Sequence, residues 1–315
     1  MALKLFDPPE STNGATPITN SNLNNKTSRR RQTRRNFLRS ALAGGTLAAL
    51  GSAGYAWRIE PLWLQIIHRK MPIPNLQHDF DGFRIIQISD LHLGAGVPLE
   101  YLTKWIDWIG RRRPDLVVIT GDIVHRAQTE WCGIVGKLLA RIRVDNRPLV
   151  ILGNHEWGAF SMGTGSAQTA DRVTAAMIKE GLSLLRNEST VISRGSSRLY
   201  IVGMEDYWSG RFNKQTAFTG VPKSSPCIAL SHNPDSFIDL LDTPASWILS
   251  GHTHGGQVSI PLLGPILIPI QHKQFVAGHY QLDGKNLYVN RGIGWFKRVR
   301  FNARPEITEF TLTHI

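Results

Sequence analysis

The sequence predicts an α/β fold, a four-layer α/β/β/α sandwich of two mixed sheets flanked by helices. Three observations carry that expectation. Short β-branched runs alternate with stretches of helical periodicity as far as Asn154. Beyond Gly256 the chain is almost wholly strand-like, punctuated by Gly and Pro. Polar residues able to bind metals close one apolar run after another, as they do at the C-terminal ends of parallel strands.

The elements follow in order. Residues 83–89 (FRIIQIS) make a strand that delivers Asp90. Leu99, Leu102, Ile106 and Ile109 then recur at helical spacing, and Pro114 stops that helix. Residues 116–120 (LVVIT) suit a strand buried on both faces and deliver Asp122. A second helical stretch leads to residues 149–152 (LVIL), which deliver Asn154. Asp90, Asp122 and Asn154 therefore stand 32 residues apart, about one strand-helix-strand unit. Later strands are expected at 199–202, 228–231, 247–250, 275–278, 287–290 and 307–312, with one helix around 236–241. Trp63, Leu64, Ile66 and Ile67 read as an opening strand.

Five blocks hold the ligand chemistry: Asp90-Leu-His92, Gly121-Asp122, Gly153-Asn-His-Glu156, Ser231-His232 and Gly251-His-Thr-His254. They collect five of the eleven histidines, two aspartates and an asparagine, a set that suits two divalent metals rather than one. Mixed nitrogen and oxygen donors admit Mn, Fe or Zn. A lone Asp-x-His or Gly-Asp is a common turn, so the weight lies in five blocks, each behind an apolar strand.

In that order the motifs resemble the calcineurin-like metallophosphoesterase family from about Phe83 to Ile315. The resemblance implies Asp90, His92 and His254 on one metal, Asn154, His232 and His252 on the other, and Asp122 bridging the pair. It implies hydrolysis of a phosphodiester or phosphomonoester by in-line attack of a metal-bridging hydroxide, with His155 as general acid for the leaving oxygen. His125 departs from the protein-phosphatase pattern, which has an orienting aspartate at that place. Glu156 and Asp206 are the substitutes considered for orienting His155, and His125 reads equally as a surface histidine. Residues 251–258, 288–294 and 305–307 further resemble the exported, twin-arginine-signal branch of the family, which includes a Bacillus wall-associated phosphoesterase and an enterobacterial phosphodiesterase.

Ahead of the domain (58–315) lie a polar segment, 1–28, expected to be disordered, and a leader, 29–57. Residues 33–39 (TRRNFLR) resemble a twin-arginine export signal, and residues 40–57 carry no charge. A cleaved signal or a retained anchor, with membrane contact through 40–57, both place the domain in the periplasm or on the outer face of the cytoplasmic membrane. The implied partner is the twin-arginine export machinery, which moves folded proteins. Cys132 and Cys227 would then fold in reducing cytoplasm, which argues against a disulfide.

At 42% hydrophobic residues the chain has ample core for one large domain. The net charge of +12 is half accounted for by residues 1–39, with eight basic residues against Asp7 and Glu10. Nucleic acid is therefore not expected as a partner, and the same count weighs against a nuclease. The remaining excess gathers at Arg111–Arg113 and at Lys297, Arg298, Arg300 and Arg304; the second cluster, beside Trp295 and Phe296, reads as a solvated face ahead of one turned to an anionic substrate or lipid headgroups.

Residues 260–270, with Pro261, Pro265 and Pro269, form either a substrate wall or a hairpin completing the core. Trp208 and Phe212 suit a lid, and residues 158–165 a mobile rim. The expected substrate is a phosphoester, with a lipid- or wall-linked one suited to these apolar features. Resemblance also raises a UDP-2,3-diacylglucosamine pyrophosphatase of lipid A synthesis, against which export argues because that precursor is cytoplasmic. A non-catalytic envelope-binding module is disfavoured by the complete ligand set.

Overall fold

The computed structural model describes residues 21–142, 144–266 and 268–315. The chain divides into two units, one ending at Ala53 and one running from Gly54 to Ile315. Helix α1 (Ser21–Arg58) contains the arginine motif and the uncharged stretch. Residues 1–20 of the polar segment lie outside the described residues, and from Ser21 the chain is helical. Gly44, Gly45, Gly51 and Gly54 dilute its apolar run, and among the described residues no helix is long and apolar enough to cross a membrane.

The second unit opens with β1 (Gln65–Ile73), β2 (Arg84–Ile88), α2 (Leu99–Arg112), β3 (Leu116–Thr120), α3 (Cys132–Leu139) and β4 (Leu149–Ile151). It continues through α4 (Asn154–Trp157), α5 (Ala167–Lys179), β5 (Ser183–Leu184), β6 (Glu188–Arg194), β7 (Ser197–Gly203) and α6 (Lys214–Ala217). Then follow β8 (Cys227–Leu230), β9 (Trp247–Ser250), β10 (Ser259–Ile260), β11 (Gly264–Pro265), β12 (Gly278–Leu282), β13 (Lys285–Val289) and β14 (Glu306–His314).

Two six-stranded sheets result, ordered β1-β14-β2-β3-β4-β5 and β12-β13-β9-β8-β7-β6. Both are mixed. In the first, β2 to β5 run parallel and β14 runs antiparallel to β2. In the second, β7, β8, β9 and β13 run parallel and the edges β6 and β12 are antiparallel. The α/β fold is thus the expected one, with the ligand-bearing strand ends on the central parallel strands.

Alternation along the strands builds the layers. Ile85, Leu116 and Val118 face inward, where they meet Leu199, Ile228, Trp247 and Phe310 between the sheets. Ile86, Ile88, Val117 and Ile119 face outward onto Leu102, Ile106, Val135 and Val173 of α2, α3 and α5. The outer face of the second sheet is covered more thinly, by Phe237, Leu240 and Ala217 against Val202, Ala229 and Ile248.

Some sequence expectations need correction. The helix placed at 236–241 is a 3-10 helix, Pro234–Leu240, begun by a proline and capped by the Asn233 side chain. The strand placed at 275–278 starts only at Gly278, because Phe275 turns inward to pack on Phe237. Helix α5 and strands β5 and β6 were not anticipated. Cys132 and Cys227 are both buried and unpaired.

Phe310 joins the two sheets, edge-on to Tyr288 with ring centroids 5.1 Å apart and to Trp247 at 6.1 Å. Phe310→Ala is expected to lower unfolding free energy by about 3–5 kcal/mol. Leu263→Ala, on an exposed turn, should stay within about 0.5 kcal/mol. Denaturant titration distinguishes the two.

Candidate metal centre

The parallel strands of both sheets end at one crevice. From β2 come Asp90 and His92, from β3 Asp122, from the start of α4 Asn154, from β8 His232, and from β9 His252 and His254. All seven are buried. Five of them, Asp90, His92, Asp122, His252 and His254, hold left-handed backbone with φ between 48° and 71°. That conformation costs about 1–3 kcal/mol at a non-glycine residue and persists where surrounding structure enforces it. Close approach explains two of the neighbouring glycines. A Cβ at Gly153 would collide with Asp122 Oδ1, and one at Gly292 (φ 73°) would lie 2.6 Å from Asp90 Cβ.

Ligand atoms converge in two groups. In the first, His92 Nε2 and His254 Nε2 are 3.0 Å apart, and Asp90 Oδ1 lies 3.9 Å and 3.4 Å from them. In the second, His252 Nδ1 is 2.9 Å from Asn154 Oδ1, and His232 and His252 both offer nitrogens to Asp122. Asp122 Oδ2 stands between the groups, 3.5 Å from His92 Nε2 and 3.3 Å from His232 Nε2. Its other oxygen accepts the backbone N–H of His155 at 2.9 Å.

These donor sets fit divalent metals. Main-chain carbonyls take the far nitrogens of two imidazoles: His232 Nδ1 lies 2.6 Å from Thr120 O and His252 Nε2 3.1 Å from Pro269 O. A carbonyl at the far nitrogen favours the tautomer whose inward nitrogen is free for a metal. His232 Nε2 is buried without a hydrogen-bond partner. Burial pushes His92 and His254 well below the ordinary histidine range and His252 down to about 3, so all three are neutral as ligation requires. Burial opposes ionisation of both Asp122 and His232, yet without metal the two charges hold each other, Asp122 well below the usual carboxylate range and His232 well above the usual histidine range. Asp90 is pushed up to about 7 by burial, with the Asp122 charge adding to it.

His155 lies beside this centre, with ring centroids 4.6 Å from His92 and 4.8 Å from His125. Neither substitute considered for orienting it does so. Glu156 accepts main-chain N–H groups of Asp122, Ile123, Val124 and Gly153 at 2.7–3.0 Å. Asp206 caps a turn by accepting from Trp208 N. The backbone N–H of Arg126 meets His155 Nδ1 at 3.2 Å instead. That partner has no sequence signal, since it is a main-chain group placed by an Arg126 φ of 50°. His125 is half-buried in the cleft wall rather than on the open surface.

A cleft of about 440 Å³ opens over the centre, lined by His155, Phe160, Trp208, Ile266, Pro269 and Phe296 among others. Trp208 sits edge-on to His252 with centroids 4.7 Å apart. Phe212 is not part of a lid here but packs on Tyr207. Arg300, expected in a solvated basic face, is fully buried. It donates to the carbonyls of Arg291, Gly294 and Ala303 and lies 3.3 Å from His254 Nδ1.

Glu156→Gln would leave buried N–H groups without an acceptor. Stability should fall by about 1–3 kcal/mol and metal affinity by about 10–100-fold. Thermal unfolding and metal titration read the two effects, and wild-type values in both would sever Glu156 from the centre.

The calcineurin-like phosphoesterase family pattern matches residues 83–256. The chain is 36% identical to the metallophosphoesterase YkuE of Bacillus subtilis over 289 residues, covering 90% of this chain and 98% of that protein. It is 29% identical to the phosphodiesterase YaeI of Escherichia coli, covering 89% and 98%. Identity to the UDP-2,3-diacylglucosamine pyrophosphatase LpxG of Chlamydia trachomatis is 28%, covering 83% and 94%. The chain belongs to the calcineurin-like phosphoesterase family and is a metal-dependent phosphoric ester hydrolase that uses two divalent ions.

Proposed function

We propose that this hydrolase works in the cell envelope on an amphiphilic phosphoester, a phosphodiester or phosphomonoester with an apolar portion. The observation that carries the reading is the cleft: a charged, buried centre at its floor and aromatic and aliphatic walls formed by Phe160, Trp208, Ile266 and Phe296. Relatives named as a phosphodiesterase and as a pyrophosphatase of a diacylated sugar nucleotide support it. Export is supported by the arginine motif at 33–39 and the uncharged run after it.

In this reading Asp90, His92 and His254 would hold one ion and Asn154, His232 and His252 the other, with Asp122 placed to serve both. Bound there, the ions supply Lewis acidity toward a phosphoryl oxygen and toward water. The chain's own residues do the rest. Accepting the Arg126 N–H at Nδ1, a neutral His155 keeps its proton on Nε2 and hydrogen-bonds it to the leaving oxygen, stabilising the charge that develops there while that oxygen takes its proton from water. Burial lowers the His155 pKa in the same sense. Trp208 and Phe160 seat the apolar portion and exclude water.

A second reading, cleavage of a diphosphate, is favoured by Arg126 and Lys297, which also line the cleft. Among the described residues neither forms an ion pair, and Arg126 stacks over Phe160 at 5.8 Å. Such cations suit a second phosphoryl group.

Asp122→Ala should empty both metal positions and lower kcat/KM by about 100-fold or more, checked by metal analysis beside turnover. Full metal and full activity would remove Asp122 from the bridge. His155→Ala should lower kcat by about 100-fold or more on alkoxide leaving groups and much less on p-nitrophenolate; equal effects on both would end its proton role. With p-nitrophenyl alkyl phosphates, kcat/KM should rise with chain length by up to about fourfold per methylene. Trp208→Ala should flatten that rise. A length-independent rate in the wild type would exclude the amphiphile, and faster cleavage of diphosphates than of any monophosphate ester would select the second reading.

A further inference from the structure

An exposed apolar hairpin stands at the mouth of the cleft. Ser259 pairs with Pro265 and Ile260 with Gly264, turning through Pro261, Leu262 and Leu263. Leu262 is fully exposed, Leu263 81% and Ile266 66% exposed. The hairpin does not complete the core, and a loose loop would not hold these side chains out. Its base is fastened: Ser259 N donates to Phe301 O at 2.8 Å, Asn302 Nδ2 to Ser259 O at 3.0 Å, and Ile266 N to Val258 O at 3.0 Å. The fold thus presents leucines to solvent on a paired, anchored tip.

The surroundings are cationic and aromatic. Residues 257–276 contain one charged residue, Lys273, and residues 292–305 contain no Asp or Glu and, besides the buried Arg300, three cations, Lys297, Arg298 and Arg304. Phe301 leads from the hairpin to Tyr55, edge-on at 6.2 Å. Trp57 and Trp63 are each 52% exposed. Arg298 lies 5.9 Å over the Trp57 ring and Arg304 4.1 Å over Trp63. Apolar tip, half-exposed tryptophans and unopposed cations form the pattern that suits an anionic bilayer surface, where the tip enters the acyl boundary and the cations meet headgroup phosphates. Protein interfaces tend instead to be depleted of lysine and matched by charges of both signs.

We propose that the 259–266 hairpin, with Lys297, Arg298 and Arg304 beside it, docks the domain onto an anionic phospholipid membrane. Ile266 and Lys297 belong to the cleft lining as well as to this surface. Docking therefore sets the mouth of the cleft against the headgroup layer, and an amphiphile reaches the centre without crossing water. The docking itself needs neither metal nor turnover, so it stands or falls apart from the proposed substrate.

The test uses the full chain with vesicles of phosphatidylcholine, alone or mixed with phosphatidylglycerol. Leu263→Cys is labelled with an environment-sensitive fluorophore, which the buried Cys132 and Cys227 leave selective. Fluorescence should shift to the blue and become shielded from iodide on the anionic vesicles only. Lys297→Ala with Arg298→Ala should weaken vesicle affinity by about 30-fold. Leu262→Glu with Leu263→Glu should weaken it by about tenfold or more at unchanged thermal stability. A label that stays in water while the protein is vesicle-bound overturns the proposal, because attachment then runs through another segment. Equal binding to neutral vesicles, or unchanged binding by both double variants, overturns it too. Self-association abolished by Leu262→Glu with Leu263→Glu, without vesicle binding in the wild type, would mark the hairpin as a contact between copies instead.

Discussion

Four main-chain N–H groups, those of Asp122, Ile123, Val124 and Gly153, point at the single carboxylate of Glu156. Burial and the neighbouring Asp122 charge push that carboxyl up, to about 8, and the amide donors oppose them by favouring its ionised form. The contact ties the turn after β3 to the start of α4. Asp122 lies between the two groups of donor atoms with its backbone N–H held from behind by Glu156, while its own Oδ1 accepts the His155 N–H. Remove that clamp, and the turn at Gly121 and the approach of Gly153 to Asp122 lose their common support.

The rest of the centre is built on the same plan, with conformational cost borne locally and offset by the packed sheets beneath. Five of the seven converging residues sit in left-handed backbone just past the strand ends, where the ladder no longer dictates φ. Carbonyls of Thr120 and Pro269 aim two imidazoles, and Gln87 bridges the sheets by donating to Thr120 Oγ1 and Ser250 O. Arg300 does from below what Glu156 does from above. It gathers carbonyls of the segment after β13 beneath His254, and burial lowers its pKa to about 10. A cation collecting carbonyls and an anion collecting amides bracket the ligands.

This explains what was legible in the sequence. Strand ends could be read because a buried parallel strand needs a β-branched run such as Leu116–Thr120, and the ligand follows it directly. The crevice could be read because every ligand stood after such a run. Main-chain partners could not. Neither the Arg126 N–H on His155 nor the Thr120 carbonyl on His232 depends on which side chain the partner carries, so residue type holds no trace of either. Arg300 was misread for a related reason: charge predicts exposure unless backbone carbonyls converge on it, and convergence is a property of the fold. Residues 275–278 read as a strand because Phe275 and Val276 suit one, but packing against Phe237 governs their conformation.

Charge location bears on which phosphoester the cleft admits. Half of the net +12 lies in residues 1–39, and Arg300 is spent on carbonyls inside the domain. A nucleic acid backbone would need a track of solvated cations leading to the centre, since each phosphate contact adds its share of affinity. Here the cations nearest the mouth, Lys297 and Arg126, stand among Phe296, Phe160, Trp208 and Ile266. Two positive groups in an apolar wall make no such track. The buried polar floor, the largely apolar walls and the exposed leucines of the hairpin therefore follow one another outward, with cations but no carboxylate among residues 292–305 beside that tip.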